Sequence, residues 1–416
     1  MEPPKIKYRI AALTLVLMLL VLGGCGAAPE QTMTPTAETE TQEEAKVPGS
    51  VTVTGEAAAG LTEGQQTVIV AFMERYYQSM GRLEVLDCGD LFSEEEQVTM
   101  HRDVWTLLCE IRRASLSDLT LLDYTVTLNC TAVEPQEDGT VRVRTEEDTV
   151  MHFAASPTAD SKILGMFQGF TLEGSEEVGW KIQRHTAWDS AYYPFMRFVA
   201  RDNGLSEGTK PPIEVGYSTV EEQRTLAEEN LAARLAQQGQ QAEPMSVRNA
   251  YDREAAVAYA REAAVAYARR WAGERNSEWP EYDRYGGNCM NFVSQTINAG
   301  GVQMDTTGSA WYWFGNGNRT ASWSGVNYFV SYVQANTGSG LVGDAAAPYY
   351  TGEPGDVIAM GNDHFRHIVM ISEVLTDESG NTVDYLICSN TGDLCDFPAG
   401  AYFYTYQQLI KIHGWN

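Results

Sequence analysis

The segment Gly286-Gly287-Asn288-Cys289-Met290-Asn291-Phe292-Val293-Ser294-Gln295 constrains this chain most. Two glycines precede a cysteine that opens an apolar run, and Gly300-Gly301 predicts where that run stops being helical. The thiol therefore falls at a helix N-terminus, where free backbone N–H groups and the positive end of the helix dipole favour thiolate. Such a nucleophile needs a base. Downstream, β-rich runs surround His367, whose side chain shares a strand face with Val369 and Ile371, and a further run from Tyr385 delivers Asn390. Cys289 as nucleophile, His367 as base and acid, and Asn390 as the group orienting the imidazole form a candidate set, with Asp393 the second choice for the third place. His364 lies three residues from His367, so the two occupy opposite strand faces. That argues against a shared zinc with Asp363, and no metal or cofactor set is legible.

Upstream the chain changes period. Val68, Ile69, Phe72, Met73, Tyr76, Tyr77 and Met80 recur at helical spacing, and Ser93 with Glu96 predicts a capping box before a second helix through Val104, Leu107, Leu108 and Ile111. Val141 and Val143 then alternate with Arg142 and Arg144 after an Asp138-Gly139 turn, as Trp180 and Ile182 do with Lys181 and Gln183. Residues 66–200 thus read as helices followed by antiparallel strands, an order resembling the nuclear-transport-factor-two-like cone. Cys88, Cys109 and Cys130 have no metal-ligand spacing and read as core. A polar helical linker over 201–248 leads to a domain over 249–416, giving an α+β chain. At its start Arg253–Ala260 reads REAAVAYA, and Arg261–Ala268 repeats it exactly in letters. Eight residues turn a helix by ~80° beyond two turns, so the copies cannot offer one face to one core. A tandem duplication fits better than a two-unit solenoid.

At the N-terminus Lys5, Lys7 and Arg9 precede the apolar run Ile10 to Leu22, which falls short of the ~20 residues a membrane span needs. Leu22-Gly23-Gly24-Cys25 resembles the lipobox of bacterial lipoproteins. The resemblance implies a signal peptide over 1–24, lipid on Cys25, and a membrane anchor on the extracytoplasmic side. Residues 25–65, rich in Thr, Glu, Gln, Ala and Gly, read as a flexible tether. Fifty-six acids against 29 bases give a net charge of -27, which excludes a general nucleic-acid binder.

Three stretches of residues 249–416 resemble the putative amidase domain family, a branch of the papain-like superfamily related to the CHAP and NlpC-type cell-wall hydrolases. They are Ala264 to Trp271 leading into Gly286–Gln295; Trp311-Tyr312-Trp313 with Ser322–Val326; and Gly355-Asp356 through His367-Ile368-Val369 to Ser389–Asp393. The family typically reads Gly-Gly-Asp-Cys-Thr-Asn and, later, Ser-His-Thr, so Asn288, Met290 and Asn390 are departures. The resemblance implies a papain-like domain, Cys289 and His367 as catalytic pair, Asn390 at the third position, and Tyr285, Asn291, Trp311 and Trp323 near substrate. Peptidoglycan or peptide amides are the expected substrate, and a non-catalytic surface lipoprotein binding wall peptides is the alternative. Cys388 and Cys395 could pair in an oxidising compartment.

Overall fold

The computed structural model describes residues 46–189, 191–192, 219–241, 257–307, 310–336 and 339–415. The signal segment, Cys25 and the tether up to residue 45 lie outside them, as does the first half of the first REAAVAYA copy. Lys46–Asn416 forms one compact unit. Within it, strand β1 (Gly49–Thr54) pairs parallel with β2 (Leu121–Pro135), so part of the stretch whose composition suggests a tether is sheet. The small run Val47, Val51 and Leu61 provides what the polar composition conceals: all three side chains are buried.

Helix α1 (Glu63–Arg82) starts at a capping box made by Thr62 and Gln65 and buries Val68, Ile69, Phe72, Met73, Tyr77 and Met80. Helix α2 (Glu95–Arg113) starts at Glu94 with no side-chain cap, one residue beyond the Ser93 cap that spacing predicts. Strands β2, β3 (Val141–Phe153), β4 (Ser156–Ser175) and β5 (Gly179–Ala187) follow as antiparallel neighbours, β2 and β3 joined at the turn of Gly139, whose φ is +87°. Helix α3 (Val220–Leu235), capped by Thr219 and Glu222, packs on α2 and on β12 (Tyr406–Trp415).

The remaining elements are β6 (Val257–Ala258), α4 (Arg261–Trp271), α5 (Cys289–Ala299), α6 (Ala321–Ser324), α7 (Val326–Ala335), β7 (Leu341–Ala347), β8 (Val357–Gly361), β9 (Phe365–Thr376), β10 (Thr382–Ser389) and β11 (Asp393–Pro398). They extend the first sheet rather than building a second. The strand order runs β1-β2-β3-β4-β11-β10-β9-β8-β12-β6, with β5 on β4 and β7 on β12. The joint is β4 with β11, where Asp393, Leu394 and Cys395 face Leu164, Ile163 and Lys162. Because strand side chains alternate, the C-terminal half feeds two cores. Val357, Ala359, Ile368, Met370 and Cys388 face α4 and α5, whereas Ile358, Met360, Val369, Ile371 and Ile387 join the core that α1 and α2 cover.

Candidate active site at the start of helix α5

Gly286 and Gly287, with φ of +111° and +123°, carry the chain through a turn closed to other residues, and Asn288 then precedes the helix. Asn288 is buried and fully engaged. Its Oδ1 accepts from Tyr282 N at 3.2 Å and from Asn291 Nδ2 at 2.9 Å, and its Nδ2 donates to Asn390 Oδ1 at 2.9 Å. Its backbone N–H donates to Thr391 Oγ1 at 2.6 Å, and Thr391 Oγ1 in turn donates to Asp283 Oδ1. Arg275 bridges Asp283 and Asp393, with contacts of 2.7 and 2.8 Å. The loop before Cys289 is thereby fastened to the turn between β10 and β11.

Cys289 is the first residue of α5 and is buried. The N–H groups of Ile368, Met290 and Cys289 itself all act on the sulfur in the direction that favours thiolate, but burial outweighs them and pushes the thiol up to about 11. His367 is buried too, and burial pushes its imidazole down to about 4. Its Nε2 has no hydrogen-bond partner, and its ring stacks on Tyr402 at 5.6 Å between centroids. In register His367 faces Met360, on the strand face of Val369 and Ile371, as the alternation predicts. Cys289 packs in the cluster that holds Ile368 and Met370. Thiol and imidazole thus both lie at the start of β9, each beside Tyr402, and among the described residues no hydrogen bond joins them. At neutral pH both are uncharged.

Among the described residues Asn390 makes no hydrogen bond to the imidazole of His367. Its Nδ2 donates to the carbonyls of Trp271 and Ala272 at 2.9 and 2.6 Å, tying the end of α4 to the loop before Cys289. Asp393 serves Arg275 and the N–H of Thr391 instead. Of the expected substrate contacts, Tyr285 is 81% exposed, next to the glycine turn. The other three are interior. Asn291 donates to Pro280 O and accepts from Trp323 Nε1 at 2.9 Å, and Trp311 Nε1 donates to Ser294 Oγ. Trp311 and Trp323 have no exposed surface and their rings meet at a tilt, 4.8 Å between centroids, so the indoles fill a core rather than a ligand platform. Met290 is core as well, which accounts for an apolar side chain where the resembled family has a hydroxyl.

Sequence reasoning missed Tyr402. Its hydroxyl is held well above its usual range, chiefly by burial, with the charges of Cys289 and Asp393 contributing, while its ring supports His367. The one signal was the aromatic run Tyr402, Phe403, Tyr404 and Tyr406 after β11. Among the described residues a metal ion could be held only by Cys388, Cys395 and Asp396, whose ligand atoms lie within 4.8 Å of one another. The two sulfurs are 3.8 Å apart, and Arg269 already pairs with the Asp396 carboxylate at 3.0 Å. Asp363 contacts His364 at the surface, away from the buried His367.

Fold and site define an α+β protein in which a cysteine-headed helix packs on an antiparallel strand. Residues 251–413 match the family model described as "Putative amidase domain", which suggests amide hydrolysis at the level of the family. A curated relative, "Uncharacterized protein YhbB" of Bacillus subtilis (strain 168), is 32% identical over 112 residues, covering 26% of this chain and 34% of that protein. The chain thus spans about a third of that relative's length. No solved structure matches.

Proposed function

We propose that the chain is an exported, lipid-anchored cysteine amidase or peptidase that hydrolyses amide bonds of cell-wall peptides, its C-terminal part a papain-like domain and its middle part a nuclear-transport-factor-two-like one. The observation that carries this reading is Cys289 at the first position of α5, with three backbone N–H groups turned toward its sulfur, inside the segment that matches the amidase family. The unpartnered Nε2 of His367 leaves that nitrogen available as a base, although buried ring nitrogens of His101, His185 and His413 are unpartnered as well. Lipid on Cys25 and the membrane address rest on the Leu22–Cys25 motif, and the wall substrate rests on that address together with the family.

In the proposed reaction the Cys289 proton passes to His367 as sulfur attacks the amide carbonyl, and N–H groups at the start of α5 receive the oxyanion. His367 then protonates the departing amine. Water, deprotonated by the same imidazole, releases the acid and restores the thiol. A thiol near 11 and an imidazole near 4 make the first transfer steeply uphill in the arrangement described. Substrate binding therefore has to bring the imidazole to the sulfur.

That same neutrality favours a second reading, a surface lipoprotein that binds wall peptides without cleaving them. Alkylation of the full chain with iodoacetamide at pH 6, mapped by mass spectrometry with and without wall peptide, separates the two. Fast labelling of Cys289 that needs peptide and is lost in His367→Gln supports the hydrolase. Labelling of Cys289 no faster than of Cys88 under every condition leaves the binding protein.

A further inference from the structure

Strands β3, β4 and β5 turn one face to α1 and α2, burying Val143, Phe170, Leu172 and Ile182. The opposite face gathers three arginines in a chain of net charge -27. Register sets them together: Arg142 lies opposite Thr171 and Thr171 opposite Arg184, and in the next row Arg144 lies opposite Gly169 and Gly169 opposite Thr186. All of these line a cavity of about 60 Å³, the scale of one small anion.

Its floor is Gly169. A Cβ there would stand 2.6 Å from Thr186 Oγ1 and 2.9 Å from the edge of Phe167, so only glycine lets these two side chains close over the sheet between the arginines. Two of the guanidinium groups keep donors in reserve. Arg142 makes no hydrogen bond or ion pair among the described residues. Arg144 gives its Nη2 to the Glu134 carboxylate at 2.9 and 3.0 Å, while its buried Nε has no partner. Guanidinium forks match the oxygens of a tetrahedral oxyanion, and a buried donor left unpaired gains most from such a ligand.

We propose that this cavity is a phosphate-binding site. Arg142 and the Nε edge of Arg144 donate to the phosphate oxygens, and Arg184 adds a third positive charge. The site is separate from Cys289 and gives the N-terminal half a ligand of its own. In so acidic a protein, attraction for phosphate has to be local. The phosphate comes either free or within a diester, and inorganic phosphate and dimethyl phosphate are the probes for the two.

The test is calorimetric titration of the full chain with each probe, against chloride at equal ionic strength, alongside the rise in melting temperature that ligand linkage requires. Saturable one-to-one binding is expected, weakened at least tenfold by Arg142→Gln, less by Arg142→Lys, and not at all by Arg102→Gln on α2. Tighter binding of inorganic phosphate assigns the free ion, and tighter binding of dimethyl phosphate assigns a diester. Should Arg142→Gln lower the melting temperature in chloride, Arg184→Gln replaces it under the same criterion. Failure of both probes to saturate, or equal weakening by Arg142→Gln and Arg102→Gln, overturns the site.

Discussion

Asn288 and Asn390 answer each other. Where the resembled family has an aspartate and a histidine, this chain has two amides with the bond running from Asn288 Nδ2 to Asn390 Oδ1. The two departures are therefore one exchange, and each alone should be harmful. Asn288→Asp sets a carboxylate oxygen against the Asn390 carbonyl, costing about 1–3 kcal/mol. Adding Asn390→His restores a donor, and a double-mutant cycle by urea unfolding should show a coupling of about 0.5–3 kcal/mol. Strictly additive losses would refute the exchange. A second residue-scale prediction concerns acid. His101 and His185 are buried 5.0 Å apart, and burial pushes His185 down to about 3 and His101 well below its ordinary value. Both stay neutral in the fold while the unfolded chain binds protons below pH 6.5, so their contribution is complete above that pH and is lost as pH falls toward 3. For His185 alone the loss reaches about 4 kcal/mol. His185→Gln keeps a donor toward Gln168, which His185 Nε2 meets at 2.8 Å, and should flatten stability against pH between 6.5 and 4. An unchanged slope would show that His185 titrates normally.

At the scale of elements, the repeated octapeptide shows what local sequence can and cannot decide. Val257 and Ala258 of the first copy form β6 on Gly414 and Trp415, while Val265 and Ala266 of the second lie inside α4. Identical letters yield strand and helix because each copy meets a different surface: β6 finds the open edge of β12, and α4 finds α5 and β9. The second copy's tyrosine donates to Gln295 on α5, and the first copy's Tyr259 donates to Gly355 O. The turn at Gly139 and the stripe of α1 were legible because period and turn chemistry act within a few residues. Cys289 at a helix start was legible for the same reason. The face that Cys289 takes against β9, and the engagement of Asn390 by Trp271 and Ala272, depend on partners some hundred residues away. No local pattern carries them. In α4, Ala268 is fully buried and Ala266 exposed. Ala268→Leu should cost about 1–3 kcal/mol by overpacking, whereas Ala266→Leu should stay within about 0.5 kcal/mol of the parent in the same unfolding assay. Equal effects would mean that α4 is rotated from the placement described.

For the whole molecule, the decisive feature is that one sheet serves both halves. Beside the β4–β11 joint, Ser161 Oγ donates to Asp396 O at 2.7 Å, Ser117 Oγ donates to Asp384 Oδ2 at 2.8 Å, and Asn230 Nδ2 donates to Asn362 O at 2.9 Å. More consequential is the apolar face of β8, β9 and β10 that bears Ile358, Met360, Val369, Ile371 and Ile387. These side chains belong to the core shared with α1 and α2, so a fragment starting at residue 249 would present them to water and leave the β11 edge unpaired. The segment that matches the amidase family is then not an independent folding unit in this chain. Residues 249–416 expressed alone should aggregate or lack a cooperative melting transition, and the full chain should unfold in a single step when tryptophan fluorescence and far-ultraviolet circular dichroism are followed together. A soluble, cooperatively melting monomer of residues 249–416 would show that the shared core is dispensable. It would also free Cys289 and His367 from any dependence on the N-terminal half.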